Sequence, residues 1–332
     1  FRKEDFSAKL VRVDKKRIAI GKDFDPNTGQ LKNKDVLLLS KSQAEALVKE
    51  LHKGVWTIHG VEEKIINSHP KPPFTTSTLQ QEAARKLRSS ARKTMHTAQR
   101  LYEKGLITYM RTDSTVLSAE GINGARNEIK SRFGKEYLPD QARVYATKVK
   151  NAQEAHEAIR PAGVTFASVD AVRAAIDEDA AKLYDLIRKR TLASQMKSAK
   201  VKQIKVTIEN QKSEFRANGK VILFPGYMAA YVESTDRRSG ITEDQETILP
   251  DLSIGQTLTC NELSAEEHTT KPPARFTEAS LVKELEAQGI GRPSTFASIM
   301  GTIQRRTYVT NDRGKLTPPF LGIAVTQLLE NH

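Results

Sequence analysis

Residues able to do chemistry stand together at Tyr109-Met-Arg-Thr-Asp-Ser114. A tyrosine is a covalent nucleophile when its attack is stabilised, and a phosphodiester is a suitable electrophile. Phenol has a pKa near 10, so a phenolate departs more easily than an alkoxide and the resulting bond is reversible. Arg111, two residues on, offers a planar fork of donors matched to phosphate oxygens and to charge that builds up in a transition state. Thr112, Asp113 and Ser114 add hydroxyls and a carboxylate that can fix the arginine and the phenol; Glu103 and Asp113 bracket Arg111 and are expected to be occupied by it. Taken alone, Tyr-x-Arg describes a loop tyrosine beside an ion pair.

The elements that must position this run are legible around it. A helical pattern starts at Ser90 and places Met95, Ala98, Leu101 and Tyr102 on one face. Gly105 stops it, as glycine does just past a helix C-terminus. Leu106-Ile-Thr108 reads as a short strand and a polar loop follows. Upstream, Ser77-Thr-Leu-Gln80 and Thr78-Leu-Gln-Gln81 both fit a capping box, so a first helix is expected from there to about Leu87. Helix, short turn, basic helix and strand make a helix-turn-helix with a wing. The same unit recurs 202 residues later: Phe74-Thr75, Leu79, Glu82, Ile107 and Thr108 align without gaps to Phe276-Thr277, Leu281, Glu284, Val309 and Thr310. In the second copy helices are expected over 277–287 and 293–305, with Gln288-Gly-Ile-Gly291 as the turn and Asn311 at the tyrosine's position. Gly289-Ile-Gly291 has no preceding strand and no third glycine, so a dinucleotide fold is excluded. Pro293 suits a first helical position, leaving free amides beside Arg292 as a seat for phosphate.

Outside the repeats the pattern alternates. Leu10–Val13, Arg17–Ile20, Val36–Leu39 and Val55–Ile58 read as strands, with a helix over 42–51; strands return over 201–262. Asp23-Phe-Asp25 resembles a metal-binding pair but lies in the turn sequence Asp25-Pro-Asn-Thr-Gly29, and is expected to be a solvated loop. His69-Pro-Lys-Pro-Pro73 is a stiff boundary. Amphipathic helices are expected over 118–133, with Ile122, Ala125, Ile129 and Phe133 inward, and over about 177–196. The expected fold is multidomain α+β: a β-rich arch domain (1–70 and 198–265) interrupted by a winged-helix-like domain carrying Tyr109 (71–197), then a second winged-helix-like segment (266–332). A chain that leaves and re-enters a domain suits a hinge or arch.

Composition bounds the rest. The chain has 332 residues, 38% of them hydrophobic, enough for two or three modest cores. No apolar run approaches the ~20 residues of a membrane span. A single cysteine, Cys260, excludes an intrachain disulfide framework and a cysteine zinc site and fits a reducing cytoplasm. The net charge of +13 points to a polyanionic partner. Between Thr76 and Thr112 stand Arg85, Lys86, Arg88, Arg92, Lys93, Arg100, Lys104 and Arg111 against only Glu82 and Glu103, so the charge is concentrated beside the tyrosine.

The run Tyr109-Met-Arg-Thr-Asp-Ser114 resembles the active-site signature of type IA DNA topoisomerases. Its methionine is closer to the bacterial topoisomerase I branch than to topoisomerase III, which usually has proline there. Glu154-Ala-His-Glu-Ala-Ile-Arg-Pro161 is similar to a run beside the DNA path of that branch. The resemblance covers essentially all 332 residues, most strongly 72–118, 151–161 and 271–309. It implies that Tyr109 attacks one DNA strand and leaves a 5′-phosphotyrosine link, the other strand passes, and the break is resealed, relaxing negative supercoils without ATP. It implies that Arg111 orients the scissile phosphate; that Gln99, Glu103, Thr108, Thr112, Asp113 and His156 lie near it; and that Arg292, Thr295 and Arg306 hold the strand. Thr307 stands where many relatives have glycine. Nothing here resembles the family's Toprim domain with its acidic Mg²⁺ cluster, nor its C-terminal zinc or basic repeats. With Phe at position 1, the expectation is a central fragment, metal-free in itself, monomeric and at home in the bacterial cytoplasm. It should bind single-stranded DNA and negatively supercoiled DNA without relaxing the latter alone. Two other readings are a non-catalytic winged-helix module for nucleic acid and the topoisomerase portion of a reverse gyrase.

Overall fold

The computed structural model describes residues 5–145, 157–232 and 247–331. The chain forms two compact units: one of residues 1–67, 200–224 and 245–274, the other of 68–199, 225–244 and 275–332.

The first unit is a seven-stranded, mainly antiparallel sheet. Its strands are β1 (Lys9–Val13), β2 (Lys16–Ile18), β3 (Val36–Leu37), β4 (Trp56–Ser68), β5 (Ala199–Asn210), β6 (Ser213–Phe224) and β7 (Thr257–Leu258), in the order β3-β2-β1-β6-β5-β4-β7. Strands from before and after the helical block thus share one sheet. The β1–β2 turn, Asp14-Lys15, has both residues at positive φ (48° and 67°), the two-residue hairpin geometry that matches strand twist, here without glycine. Helix α1 (Lys41–Leu51) lays Leu47 and Leu51 on Ile58, Val206, Ile208, Phe215 and Ala217. The loop expected to be solvated at Asp23 is not: Asp23 is buried, held by Arg17 through two bonds of 2.6 and 2.8 Å. That guanidinium, with the Ile20 amide, keeps its carboxyl far below the usual range.

The second unit is helical: α2 (Thr76–Leu87), α3 (Ala91–Glu103), α4 (Ala119–Arg132), α5 (Val169–Ala175), α6 (Glu178–Ser194), α7 (Glu278–Ala287), α8 (Phe296–Arg305) and α9 (Phe320–Glu330). Helix α6 runs through its centre, where Leu183, Tyr184 and Ile187 meet Phe74, Leu79, Ala98, Leu101, Ile107 and Met110. Ala125 and Ile129 of α4 are buried, with Ile122 and Phe133 half-buried. The short α5 was not foreseen.

The 202-residue repeat is visible atom by atom. Thr75 caps α2 and pairs with Thr78; Thr277 caps α7 and pairs with Ser280. Helix α3 ends at Glu103 and α8 at Arg305. The amide of Leu106 bonds the Leu101 carbonyl, and that of Tyr308 the Ile303 carbonyl, each at 2.9 Å. Between them Gly105 takes φ +67° and Thr307 φ +57°. The turn therefore keeps its left-handed shape although a β-branched residue occupies it, a conformation that is strained for threonine. Helix α2 packs on α7 and α3 on α8, around Ala91, Val282, Phe296 and Met300.

The two copies then diverge. After α8 comes a hairpin, β8 (Thr310–Asp312) with β9 (Lys315–Thr317). After α3 the expected strand shrinks to a single bridge, Ile107 with Pro161. Two helix starts also differ from expectation. Helix α2 begins earlier, capped by Thr75, because Phe74 is sunk in the core and the Thr76 amide bonds the Thr112 carbonyl at 2.9 Å. Helix α8 begins three residues after Pro293, because Arg292 and Thr295 first close a turn.

Candidate active site

Tyr109 is presented by a loop whose neighbours on both sides are clamped. Upstream, Thr108 donates its amide to the Arg160 carbonyl (2.9 Å) and its hydroxyl to the Ala158 carbonyl (2.7 Å), and accepts the Arg160 amide at 3.0 Å. Downstream, Thr76, fully buried at the start of α2, donates its hydroxyl to the Met110 carbonyl at 2.7 Å and accepts the Thr112 amide at 2.9 Å. The Thr112 hydroxyl accepts the Ser114 amide, and the Ser114 hydroxyl that of Val116. Ile107, Met110, Thr112 and Ser114 are buried, while Tyr109 and Arg111 are exposed and Asp113 half-buried. Burial alternates from Met110 to Ser114, although the chain bends at Met110 and again at Arg111. Phenol and guanidinium are consequently both open to solvent.

Segment 157–162 is the second support. Its Ile159 pairs with Phe74 and its Pro161 with Ile107. Arg160, buried, donates to both Glu157 oxygens (2.6 and 3.1 Å), to the Ser118 hydroxyl (3.1 Å) and to the Pro161 carbonyl (2.8 Å); Glu157 also accepts the Ser118 amide. Burial opposes ionisation of Glu157, but the Arg160 and Ser118 hydrogen bonds outweigh it and hold its pKa below the ordinary value. Gly121 has to be glycine: a Cβ there would lie 2.4 Å from Arg160 Nε.

The other expected site residues are distributed as follows. Gln99 donates to Glu103 at 2.7 Å, so Glu103 serves Gln99 and not Arg111. Among the described residues neither Asp113 nor any other carboxylate pairs with Arg111, which corrects the expected bracket. Thr108 and Thr112 spend their hydroxyls on the main chain. His156 lies outside the described residues. Arg292 and Arg306 are exposed, flanking α8. The Thr295 hydroxyl accepts the Arg292 amide at 2.8 Å, and the amides of Thr295 and Phe296 both reach the Arg292 carbonyl (2.8 and 3.2 Å), so those two are not free to seat a phosphate. Tyr102 is not an inward residue: it is 40% exposed and stands edge-on to Tyr109. Half of the basic run is engaged. Arg100 pairs with Asp177, Lys93 with Asp179 and Arg85 with Glu82, while Lys86 packs over the Tyr231 ring.

Thr76 was hidden in Thr75-Thr-Ser-Thr78, where any member could have been the cap. Its role predicts a large effect from a small change. Thr76→Val keeps the shape but strands two buried main-chain groups, at about 1–3 kcal/mol each. Denaturant unfolding should show a loss of roughly 2–6 kcal/mol; a loss under about 0.5 kcal/mol, the range of an ordinary surface change, would deny the clamp.

An exposed tyrosine and an exposed arginine thus stand two residues apart on a pinned loop, and the chain belongs to the DNA topoisomerase family, whose model matches residues 5–332. It is 53% identical over 328 residues to DNA topoisomerase 1 of Synechococcus elongatus, covering 98% of this chain and 37% of that protein. It is 50% identical over 335 residues to DNA topoisomerase 1 of Mycobacterium tuberculosis, covering 98% and 36%. Full-length topoisomerase I from Thermotoga maritima superposes with a TM-score of 0.71 at 36% identity, over 90% of this chain and 48% of that one. The chain thus spans little more than a third of the curated relatives it matches.

Proposed function

We propose that this chain is the tyrosine-bearing part of a type IA topoisomerase. The Tyr109 oxygen bonds to phosphorus, the bond from phosphorus to the 3′ oxygen breaks, and the proton lost by the phenol is balanced by one gained at the 3′ oxygen. The reverse step reseals the strand after the other has passed, and negative supercoils relax without ATP. Arg111 steadies the phosphate oxygens in both directions. Gln99, Glu103, Asp113 and His156 lie along the strand, which Arg292 and Arg306 hold further on. Thr108, Thr112 and Thr295 act by shaping the loops. The observation that carries the reading is the clamped loop that leaves Tyr109 and Arg111 exposed two residues apart. The two helix-turn-helix copies serve as winged-helix-like DNA supports, and the segments 1–70 and 198–265 form the arch.

The longer protein would use Mg²⁺. Among the described residues no group of three His, Cys, Asp or Glu side chains is placed to hold a cation, so no step is routed through it. The chain alone should bind single strands as a monomer and leave supercoiled plasmid unrelaxed. No helix among the described residues is long and apolar enough to cross a membrane, and DNA in the bacterial cytoplasm is the proposed partner.

The test is a chimera in which this chain replaces the matching residues of the Synechococcus elongatus protein. A 3′-end label on a single-stranded oligonucleotide should travel with the protein on a denaturing gel and a 5′-end label should not. The reverse assignment would refute the 5′ link. Binding should be mainly electrostatic. Arg88, Arg92, Lys104 and Arg111 have no ion pair among the described residues, so replacing all four by Gln should flatten the dependence of log affinity on log salt by about 3, at ~0.7 per phosphate. Replacing Lys93 and Arg100 should change it by less than about 1. Equal effects of the two sets would place the strand elsewhere.

A further inference from the structure

The Tyr102 ring lies 5.3 Å from that of Tyr109, centroid to centroid, with the planes at 67°. This is the edge-to-face arrangement that aromatic quadrupoles favour. Tyr102 sits in the last turn of α3, which is anchored by Ala98 and Leu101 in the core and by the 2.6 Å bond from Arg100 to Asp177. One ring is therefore fixed to a rigid helix and the other extends from a loop. The two are similarly exposed, at 40% and 41%, so neither is there to fill the core.

The repeat supplies an internal control. The position 202 residues after Tyr102 is Gln304, in the same last turn before the same left-handed residue. Its amide donates to Glu278 at 3.0 Å. The fold therefore accepts a non-aromatic residue at this position, and does so in the copy whose counterpart of Tyr109 is Asn311. The aromatic pair accompanies the nucleophile, not the turn.

We propose that Tyr102 is a positioning residue for Tyr109: its ring is the wall that selects one side-chain conformation of the nucleophile and aims the phenol oxygen outward beside Arg111. This rests on the reading of Tyr109 as the nucleophile. Loss of the wall removes one of the contacts that hold the Tyr109 side chain in a single staggered well. Misplacing a reacting atom by about 1 Å costs up to ~100-fold, so a loss near tenfold is expected.

The variants are Tyr102→Gln, which installs the residue of the second copy and is a good helix former, and Tyr102→Phe, which keeps the ring. In the chimera, adduct formation at saturating oligonucleotide should slow about tenfold in Tyr102→Gln, with oligonucleotide affinity within about twofold, and should be near wild type in Tyr102→Phe. In the 332-residue chain with labelled tyrosine, the Tyr109 ring protons, assigned by their absence in Tyr109→Phe, should shift in Tyr102→Gln and hold in Tyr102→Phe. Unshifted Tyr109 signals in Tyr102→Gln would overturn the contact. A wild-type adduct rate in that variant, or a Phe variant as slow as the Gln one, would overturn the role. If the parent chimera gives no adduct, the nucleophile reading falls and the role with it, while the ring signals still report the contact separately.

Discussion

Tyr109→Phe in the chimera should reduce the covalent DNA adduct to background while single-stranded DNA still binds within about twofold, or ~0.4 kcal/mol. The change removes one oxygen from a side chain that is 41% exposed, so the loop that carries it should stand. Thr76, Ala158 and Arg160 hold that loop through main-chain groups of Met110, Thr112 and Arg160 and the Thr108 hydroxyl. Binding should persist because phosphate contacts carry most of the affinity, and the proposed ones come from Arg111 and the neighbouring cations. Arg111→Ala should behave differently, lowering the adduct rate by about 10²–10³-fold, the loss seen when one charge-stabilising donor is removed. Lys at 111 should recover only part of it, because an ammonium is a point charge without the fork. A non-catalytic DNA-binding module predicts no adduct in the parent chimera and no difference between the tyrosine and its phenylalanine variant. An adduct surviving in Tyr109→Phe would move the nucleophile to another residue.

How much of this was legible depended on whether the information was local. The stop at Gly105 and the helix starts at Ser90 and Ser118 depend on neighbours in sequence, and the structure has them. The repeat was legible too, down to its offset, because identical turns reuse similar residues. What failed was decided at a distance. The start of α2 at Thr75 and not Ser77 is set by Phe74 in the core and by Thr112, more than thirty residues away. Tyr102 has the helical spacing of an inward residue, yet faces out against a ring that arrives only after the chain has turned. Asp23 reads as a turn residue until Arg17 folds across it. The partners of Arg100 and Lys93, Asp177 and Asp179, lie more than seventy residues downstream. Counting basic residues along the chain therefore overstates the free charge beside Tyr109.

Arg160→Met should destabilise the second unit by roughly 3–5 kcal/mol at neutral pH, the cost of leaving a buried charge without its partner. Arg160 has 4% of its surface exposed, and Glu157 faces it with two oxygens. Methionine fills much of the space but satisfies neither Glu157 nor the Ser118 hydroxyl. The effect should depend on pH with a definite sign. In the wild type Glu157 titrates below its ordinary value of 4.5, so the pair contributes its full stability above that pH and loses it as pH falls through the lower folded value. In Arg160→Met only the Ser118 hydrogen bonds are left to oppose burial, so Glu157 should titrate higher than in the wild type and take up a proton more readily. Acidification therefore weakens the wild-type contact and relieves the variant, and the gap between them should narrow from pH 7 to about pH 4. Glu120, 3.6 Å from the guanidinium, works in the same direction but more weakly because it is exposed. Other carboxylates cancel in the difference. Urea unfolding of both chains at the two pH values measures it, and a gap that stays constant or widens on acidification would exclude Glu157 as the partner that matters. Because the main chain of Arg160 holds Thr108, the residue before Tyr109, the same substitution in the chimera should lower adduct formation even where the protein remains folded. Glu157→Gln, which keeps hydrogen bonds to Arg160 and Ser118 while removing the charge, should lower it less.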